Sequence, residues 1–510
     1  MDRLKDKSFL YDVLKLVGGT SIAQVLSVLF APMLSRLFSP EAFGILQLFM
    51  STVILFGVIA CLRYDNAIML PKETKEAVNL LGVAIIFCVL FSIVIAIVLL
   101  FWGSEILAIF HAEELSPYCW LIPLVIFFTG ILNALNYWNS RTRHYGRLST
   151  ARITNYGSML SYQTITGFYR SATSGNLVLG YSIGTVFSTL VLGFQTVRDD
   201  FNTFIGFINW SDMWQVLKDY KKFPSVDLWS TLLNNLSWQL PVYLLAFYFD
   251  ESVVGYYSLS YRVMSLPIML VGTSIGQVFF QRTSELHAQN KEIKPIVLNV
   301  VSQLVALGLM AAILMFLVGE DVFILIFGSK WAEAGIYVQI LSPWFIILFI
   351  ASPLSSLFSV FQKQEQLLVL NIFIFLTRFG SLYIGGVNQN VRLGLFLFSI
   401  TGILTYGYLI IWAMKKAEIS VTSIFQVFGR YLIYAALPTL IIVVVKYIIH
   451  GSIWWILLTS GFSAILYYLM IAKREGVYYL LMRKTVKSHS ENGMMAHSEG
   501  EERAGRVIIL

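Results

Sequence analysis

Long apolar stretches recur along the whole chain, separated by short clusters of polar, charged, Gly and Pro residues. The run from Ala77 to Trp102 is unbroken by any charge. A spanning helix needs about 20 apolar residues, whereas a membrane β-strand alternates over about 10. The pattern therefore predicts an all-α polytopic membrane protein with about fourteen transmembrane helices. The first six spans are expected near 14–36, 42–62, 77–101, 119–138, 148–169 and 174–194. Eight more are expected near 226–248, 253–280, 296–318, 335–358, 366–387, 391–413, 431–449 and 453–472. The stretch from Leu148 to Arg170 carries many Ser, Thr, Asn and Tyr residues, which marks either a cavity-lining helix or one that does not span.

Composition sharpens this. Of 510 residues, 57% are apolar and 13% charged, with a mean hydropathy of +0.72, too little polar cover for a water-soluble globule. The net charge of +7 is informative through its placement, not as a sign of nucleic-acid binding. With the N-terminus inside, all but seven of the 36 Lys and Arg fall in inside segments and the adjoining span ends. Arg36, Arg170, Lys330, Arg392 and Lys446 fall outside, while Arg262 and Arg378 fall in mid-span. Both termini are thus expected in the cytoplasm. No cleavable signal peptide is apparent. The segment from Lys473 onward is polar and expected to be disordered, so His489 and His497 read as solvated rather than metal-binding. Cys61, Cys88 and Cys119 sit in or beside apolar runs without metal-ligand or disulfide spacing.

The chain divides into residues 1–194, a linker, residues 225–413, two further spans over 414–472 and a tail over 473–510. In the linker, 195–224, Phe201, Phe204, Ile208, Trp214, Leu217 and Tyr220 alternate with charges, as in an amphipathic helix at the cytoplasmic interface. An internal repeat is visible at a shift of 211 residues. It aligns Leu29 with Leu240, Leu34 with Leu245, Phe38 with Phe249, Gly44 with Gly255 and Leu48 with Leu259. Both copies run in the same direction, which predicts a parallel repeat about an axis along the membrane normal.

Catalytic chemistry is sparse. No P-loop, zinc motif or nucleophile elbow is present. The longest outside loop holds Glu105, His111, Glu113 and Glu114, a set that reads as a solvated acidic loop. Charges inside spans are more informative, because each costs about 2.5–3.5 kcal/mol or more at mid-bilayer. Helical steps from Arg262 reach Ser258, Ser265, Met269, Thr273 and Gln277; those from Arg378 reach Asn371, Ser381 and Gly385. The seventh span adds Asp227, Ser230, Asn234 and Pro241, and the first adds Thr20, Gln24, Ser27 and Ser35, ending beside Arg36. Such stripes line a cavity or hydrogen-bond helix to helix. Asp227 and Glu365 are candidate partners of the two arginines. Guanidinium groups in a semi-dry cavity suit phosphate, diphosphate or carboxylate.

At this point several motifs resemble a known family. They are Gly-Gly-Thr-Ser-Ile-Ala-Gln-Val-Leu (18–26), Leu-Ser-Arg-Leu-Phe-Ser-Pro-Glu-Ala-Phe-Gly (34–44) and Leu-Arg-Tyr-Asp-Asn-Ala-Ile-Met-Leu-Pro-Lys (62–72). Gly-Tyr-Tyr-Ser-Leu-Ser-Tyr-Arg-Val-Met-Ser-Leu-Pro (255–267) and Arg-Phe-Gly-Ser-Leu-Tyr-Ile-Gly-Gly (378–386) extend the likeness. Over residues 10–475 the chain is similar to bacterial polysaccharide flippases of the multidrug/oligosaccharidyl-lipid/polysaccharide exporter superfamily. The resemblance implies two pseudo-symmetric six-helix lobes around a central cavity, plus two C-terminal helices, in the bacterial inner membrane. It implies alternating-access transfer of an undecaprenyl-diphosphate-linked repeat unit of O-antigen, capsule or exopolysaccharide to the outer face. Arg262, Arg378, Arg36, Asp227, Asn234, Gln24, Gln277 and Asn371 would line the cavity, with Arg63 and Asp65 at the entrance. No cofactor or metal is expected, and ion-coupled antiport with H+ or Na+ is implied. Membrane lipids, a polysaccharide polymerase and a chain-length regulator are the expected partners. A drug–cation antiporter, a glycan polymerase or ligase, and a peptidoglycan-precursor flippase stay open as alternatives. The first would need an intramembrane acid, and the polymerase a large outer loop.

Overall fold

A helix pairs its own main-chain N–H and C=O groups, as hydrocarbon requires, and the computed structural model of this chain is built that way. It describes residues 26–110, 113–169, 172–449 and 452–474; Thr20, Gln24, His111, Arg170 and the tail beyond Arg474 lie outside these. Among the described residues there is no strand, and ten helices are long and apolar enough to cross a membrane. Helical segments lie at the described part of every expected span. The chain is a multi-pass, all-α membrane protein.

The described residues form two compact units. The first contains the residues as far as Tyr261, with Ile326–Tyr337 and Phe375–Leu397. Its helices begin with α1 (Leu26–Leu37), α2 (Pro40–Gly57), the single turn α3 (Tyr64–Ala67) and α4 (Thr74–Ile109). They continue through α5 (Leu121–Arg141), α6 (Tyr145–Tyr169), α7 (Ser174–Phe207), α8 (Trp210–Asp219) and α9 (Leu228–Tyr248). The start of α10 (Glu251–Pro267) closes the run.

Pro40 shows how breaks in this helical body are mended. It starts α2, where its missing N–H is harmless, and the Ser39 hydroxyl caps the turn by accepting from the Ala42 N–H at 3.4 Å. Helix α1 ends at Leu37 and Ser39 is extended, so the Arg36 carbonyl is one of the last-turn carbonyls left without a helical donor. Lys330 fills that place, donating to the Arg36 and Phe38 carbonyls at 3.2 and 2.6 Å. The Trp331 indole donates to the Ser35 carbonyl at 2.8 Å, and its ring is fully buried.

The polar α6 is a continuous helix that packs along α7. Gln163 donates to the Leu177 carbonyl at 2.9 Å and Asn155 to the Ser188 hydroxyl at 3.1 Å. Gly180 and Gly184 on α7 let the helices approach, since a Cβ on either would overlap Gln163 or Asn155. Its Gln163 and Asn155 therefore bond helix to helix. Helix α7 runs on to Phe207, past the expected span end at 194, so the linker is part helix extension. The rest is α8, capped by Asn209 and laid against the start of α4. Asp212 pairs with Lys75 at 2.8 Å, and the Tyr64 hydroxyl donates to the Leu217 carbonyl at 3.1 Å. Trp210 and Trp214 are exposed, while Met213 and Val216 are buried.

The second unit holds Arg262–Leu325, Val338–Ile374 and the described residues from Phe398. It contains the rest of α10, then α11 (Thr273–Ala288), α12 (Lys294–Phe327), α13 (Ala332–Leu354) and the turn α14 (Leu357–Val360). Parts of α15 (Gln364–Val387) and α16 (Val391–Lys416) follow, with α17 (Val421–Val443) and α18 (Ile453–Arg474). Trp412 stacks on Phe358 with centroids 3.7 Å apart and donates to Gln366 at 2.8 Å. Val318 leaves helical geometry inside α12. The Leu317 carbonyl beside it accepts from Lys446 at 2.8 Å and Gln339 at 3.4 Å, and Lys446 also pairs with Asp321 at 2.6 Å.

The expected repeat has a physical counterpart in the first unit. A Cβ on Gly44 of α2 would overlap the Glu251 carbonyl, and one on Gly255 of α10 would overlap the Pro40 carbonyl. The shift of 211 residues that aligns Gly44 with Gly255 also aligns Pro40 with Glu251. The two helix starts thus make one contact twice, each copy filling the other's gap. Gly44→Ala and Gly255→Ala should each destabilise the purified protein by about 1–3 kcal/mol. Thermal melting in detergent should show a double variant losing less than the sum, because both clashes are relieved by one separation. Full additivity would argue that the two glycines are independent.

Candidate functional site

The loop after α2 reverses through two consecutive left-handed residues, Leu62 (φ 47°) and Arg63 (φ 66°). Non-glycine residues hold that conformation at a cost of about 1–3 kcal/mol each, so surrounding contacts must fix it. The result is that α3 turns Tyr64, Asp65 and Ala67 inward while Arg63 reaches sideways. Its Nε donates to Asp227 Oδ2 at 2.8 Å. Asp227 ends a π-helical turn begun by Phe223 and Pro224, immediately before α9. The sequence offered Asp227 as a partner for a mid-span arginine; here it pairs with Arg63.

Asp65 completes this group. It is 1% exposed, and its Oδ1 has no hydrogen-bond partner among the described residues. Burial pushes its carboxyl up to about 6, against the pull of the Arg63 guanidinium, and the Asp227 carboxylate pushes the same way as burial. One cation and two potential anions therefore share one site, and its net charge changes by one near pH 6.

A second group lies further along α9. Pro241 has no N–H, so the Ser237 carbonyl four residues earlier lacks its helical donor. Arg378, on the 375–387 part of α15, supplies it: Nη1 lies 3.2 Å from the Ser237 carbonyl and 3.4 Å from its hydroxyl. The guanidinium also lies over the Trp238 ring, 4.3 Å from its centroid. Arg378 is 5% exposed, so these contacts hold a buried charge in a fixed orientation.

The remaining candidates are dispersed. Asn234 is exposed on α9, one turn before Ser237. Arg36 is exposed at the end of α1. Arg262, Gln277 and Asn371 belong to the second unit, the first half-buried and the other two exposed. Gln24 lies outside the described residues. Sequence reading passed over Ser237 and Trp238; the signal that finds them is Pro241, which identifies the orphaned carbonyl. Among the described residues no group of His, Cys, Asp and Glu could hold a metal.

Comparison with known proteins sets this geometry in context. A sequence model described as "Polysaccharide biosynthesis protein" matches residues 33–335. The teichuronic acid biosynthesis protein TuaB of Bacillus subtilis (strain 168) is 22% identical over 302 residues, 58% of each chain. An uncharacterized membrane protein in the cps region of Klebsiella pneumoniae is 24% identical over 398 residues, 76% of this chain and 79% of its own. Among solved structures, the lipid II flippase MurJ in an inward closed conformation aligns with a TM-score of 0.69 at 12% identity. That alignment covers 91% of this chain and 99% of MurJ. An inward-facing multidrug resistance MATE family transporter of the MOP superfamily aligns at 0.61 and 15% identity, over 78% of this chain and 94% of its own. The fold is shared with these transporters.

Two outcomes follow from the geometry. Arg378→Ala should cost about 1–3 kcal/mol by stranding the Ser237 carbonyl. Adding Pro241→Ala restores a helical N–H to that carbonyl and should recover most of the loss in thermal melting; no recovery would place the role of Arg378 elsewhere. For Asp65, the folded pKa lies above the unfolded one, so its ionisation opposes the fold. Stability should fall as pH rises from about 4 to about 6. Asp65→Asn should flatten that slope in melting curves and raise the melting temperature at neutral pH.

Proposed function

The chain belongs to the family of polysaccharide biosynthesis proteins, and from that premise we propose that it flips a lipid-linked glycan across the membrane. The observation that carries the reading is that a member of this family has the all-helical body of a transporter. The substrate we propose is an undecaprenyl-diphosphate-linked oligosaccharide repeat unit of O-antigen, capsule or exopolysaccharide. Its charged head cannot cross about 30 Å of hydrocarbon unaided, whereas its prenyl tail need never leave lipid. The chain would sit in the bacterial inner membrane with both termini inside, handing its product to a polymerase and a chain-length regulator.

The ion group around Arg63 supplies the first step. Asp227 occupies the guanidinium that a diphosphate would bind bidentately, so an incoming head group competes with the carboxylate for Arg63. With both acids ionised the group carries one net negative charge and repels the substrate. Protonation of Asp65 removes that charge, which makes the proton the coupling ion in this reading. Arg378, held on Trp238, is the fixed mid-span charge that the head group would meet after leaving Arg63.

Deleting the gene should abolish long-chain surface glycan while repeat units accumulate on undecaprenyl diphosphate at the cytoplasmic face, read by radiolabelled lipid extraction and inside-out vesicles. Complementation with Arg63→Ala should give less than about a tenth of wild-type glycan at normal protein abundance, with Arg63→Lys intermediate, because lysine keeps charge but not the fork. Units that reach the outer face unpolymerised would make the chain a polymerase. Intact glycan with new sensitivity to cationic drugs would make it an antiporter.

A further inference from the structure

Helix α7 has 34 residues and is about 50 Å long, whereas the hydrocarbon core is about 30 Å thick. Counted from Ser174, hydrocarbon ends about 20 residues on, so Gln195 to Asp200 lie at headgroup depth. On one face of α7, Phe187, Leu190 and Phe194 follow each other at helical spacing, with Arg198 one turn further. These three apolar side chains are 52%, 55% and 68% exposed among the described residues. With the start of α6 they form one open groove of about 610 Å³, apolar along α7 and charged at the Arg147, Arg198 and Asp199 end.

The charges at that end are arranged in a definite way. Arg147 donates to Asp199 at 2.9 Å, to Asp200 at 3.3 Å and to the Asn139 side-chain oxygen at 3.1 Å. Arg198 donates through Nε to the other Asp199 oxygen at 2.8 Å. Asp200 also accepts from the Trp138 indole at 2.9 Å. Two guanidinium groups and two carboxylates sum to zero. Arg198 is the outermost, with a side chain 63% exposed, and Asp199 stands beside it at 36%. Nearby, the buried side-chain oxygen of Gln195, which also lines the groove, has no donor among the described residues.

We propose that this groove is a binding site for a structural phospholipid whose head group joins a phosphate to a primary ammonium. One acyl chain lies along Phe187, Leu190 and Phe194. The phosphate takes the outer edge of Arg198, and the ammonium donates to Asp199. Charge complementarity selects this occupant: a neutral pair of opposite charges, both exposed, matches a head group that carries both signs. A purely anionic head group would bring no donor for Asp199. A trimethylated ammonium would bring the charge but no N–H for the carboxylate. The distance also fits, since Phe187 and Arg198 are eleven residues apart, about 16 Å along the helix, the depth of one leaflet. This site is separate from Arg63 and Arg378 and does not rest on the function proposed above.

Native mass spectrometry of the full chain in detergent tests this, using phosphatidylethanolamine, phosphatidylglycerol and phosphatidylcholine with identical acyl chains. The ethanolamine lipid should be retained at least about threefold more than either other lipid. Arg198→Ala, a change at an exposed side chain, should remove that preference without altering the melting temperature of the lipid-free protein. Asp199→Asn should lower ethanolamine-lipid retention and raise that of phosphatidylglycerol. Equal or better retention of phosphatidylglycerol by the wild type would overturn the proposal. So would equal retention of the choline lipid, or a preference unchanged in Arg198→Ala.

Discussion

A carbonyl that loses its helical donor inside a membrane must find another, and this requirement organises much of the protein. Such vacancies arise at prolines inside helices and at helix ends, and three of them are mended in different ways. Pro343 removes the donor of the Gln339 carbonyl, and the neighbouring Ser342 hydroxyl replaces it at 3.1 Å, a repair within one turn. The end of α1 leaves Arg36 in the same state, and the donor comes from Lys330, 294 residues away in sequence. Pro241 frees Ser237, and the donor is Arg378, 141 residues away. The local repair only bends a helix. The two distant ones tie separate segments together through a charge, and at Ser237 the break supplies a partner for the buried Arg378. An arginine inside a span is costly alone, but a carbonyl without a donor is a partner already desolvated.

The membrane class, the helical content and the positions of the spans were legible in the sequence because apolar length is a one-dimensional property. A repeat was visible too, though only as a handful of aligned residues. What gives it weight is Gly44 against Glu251 and Gly255 against Pro40, a reciprocity that alignment cannot display. The polar α6 was ambiguous for a physical reason. Gln163 and Asn155 look the same in sequence whether they face water or a neighbouring helix, and only Gly180 and Gly184 on α7 decide between the two. The site was half legible. Arg63, Asp65, Asp227 and Arg378 were singled out by charge, but pairing is a property of three dimensions. Asp227 was expected to meet an arginine in mid-span and instead meets one on the loop after α2.

Helix α9 connects the two charged groups. Asp227 lies at its start and Ser237 with Trp238 three turns later, so a shift of α9 along its axis would change the Arg63 contact and the Arg378 contact together. The start is also the less regular end, since a π-helical turn precedes it. The strain at Leu62 and Arg63 points the same way. Two left-handed residues persist only while the ion pair and the inward packing of Tyr64 and Asp65 hold them. Loss of the Arg63–Asp227 contact would release stored strain as well as charge.

Asp65 is the member of this group whose burial is hardest to explain by stability alone. An Asn at that place would fill the same volume without the burden of a desolvated carboxylate. A buried acid with an unpartnered oxygen, next to a guanidinium already committed to another acid, is therefore a net liability to the fold at neutral pH. Its one physical advantage is that its charge can change. Tyr64 and Ala67, buried on either side, hold the carboxyl in that state of poor solvation. The packing of α3 and the electrostatics of the ion group are thus one arrangement: the turn that buries Asp65 also sets the pH at which the charge around Arg63 changes.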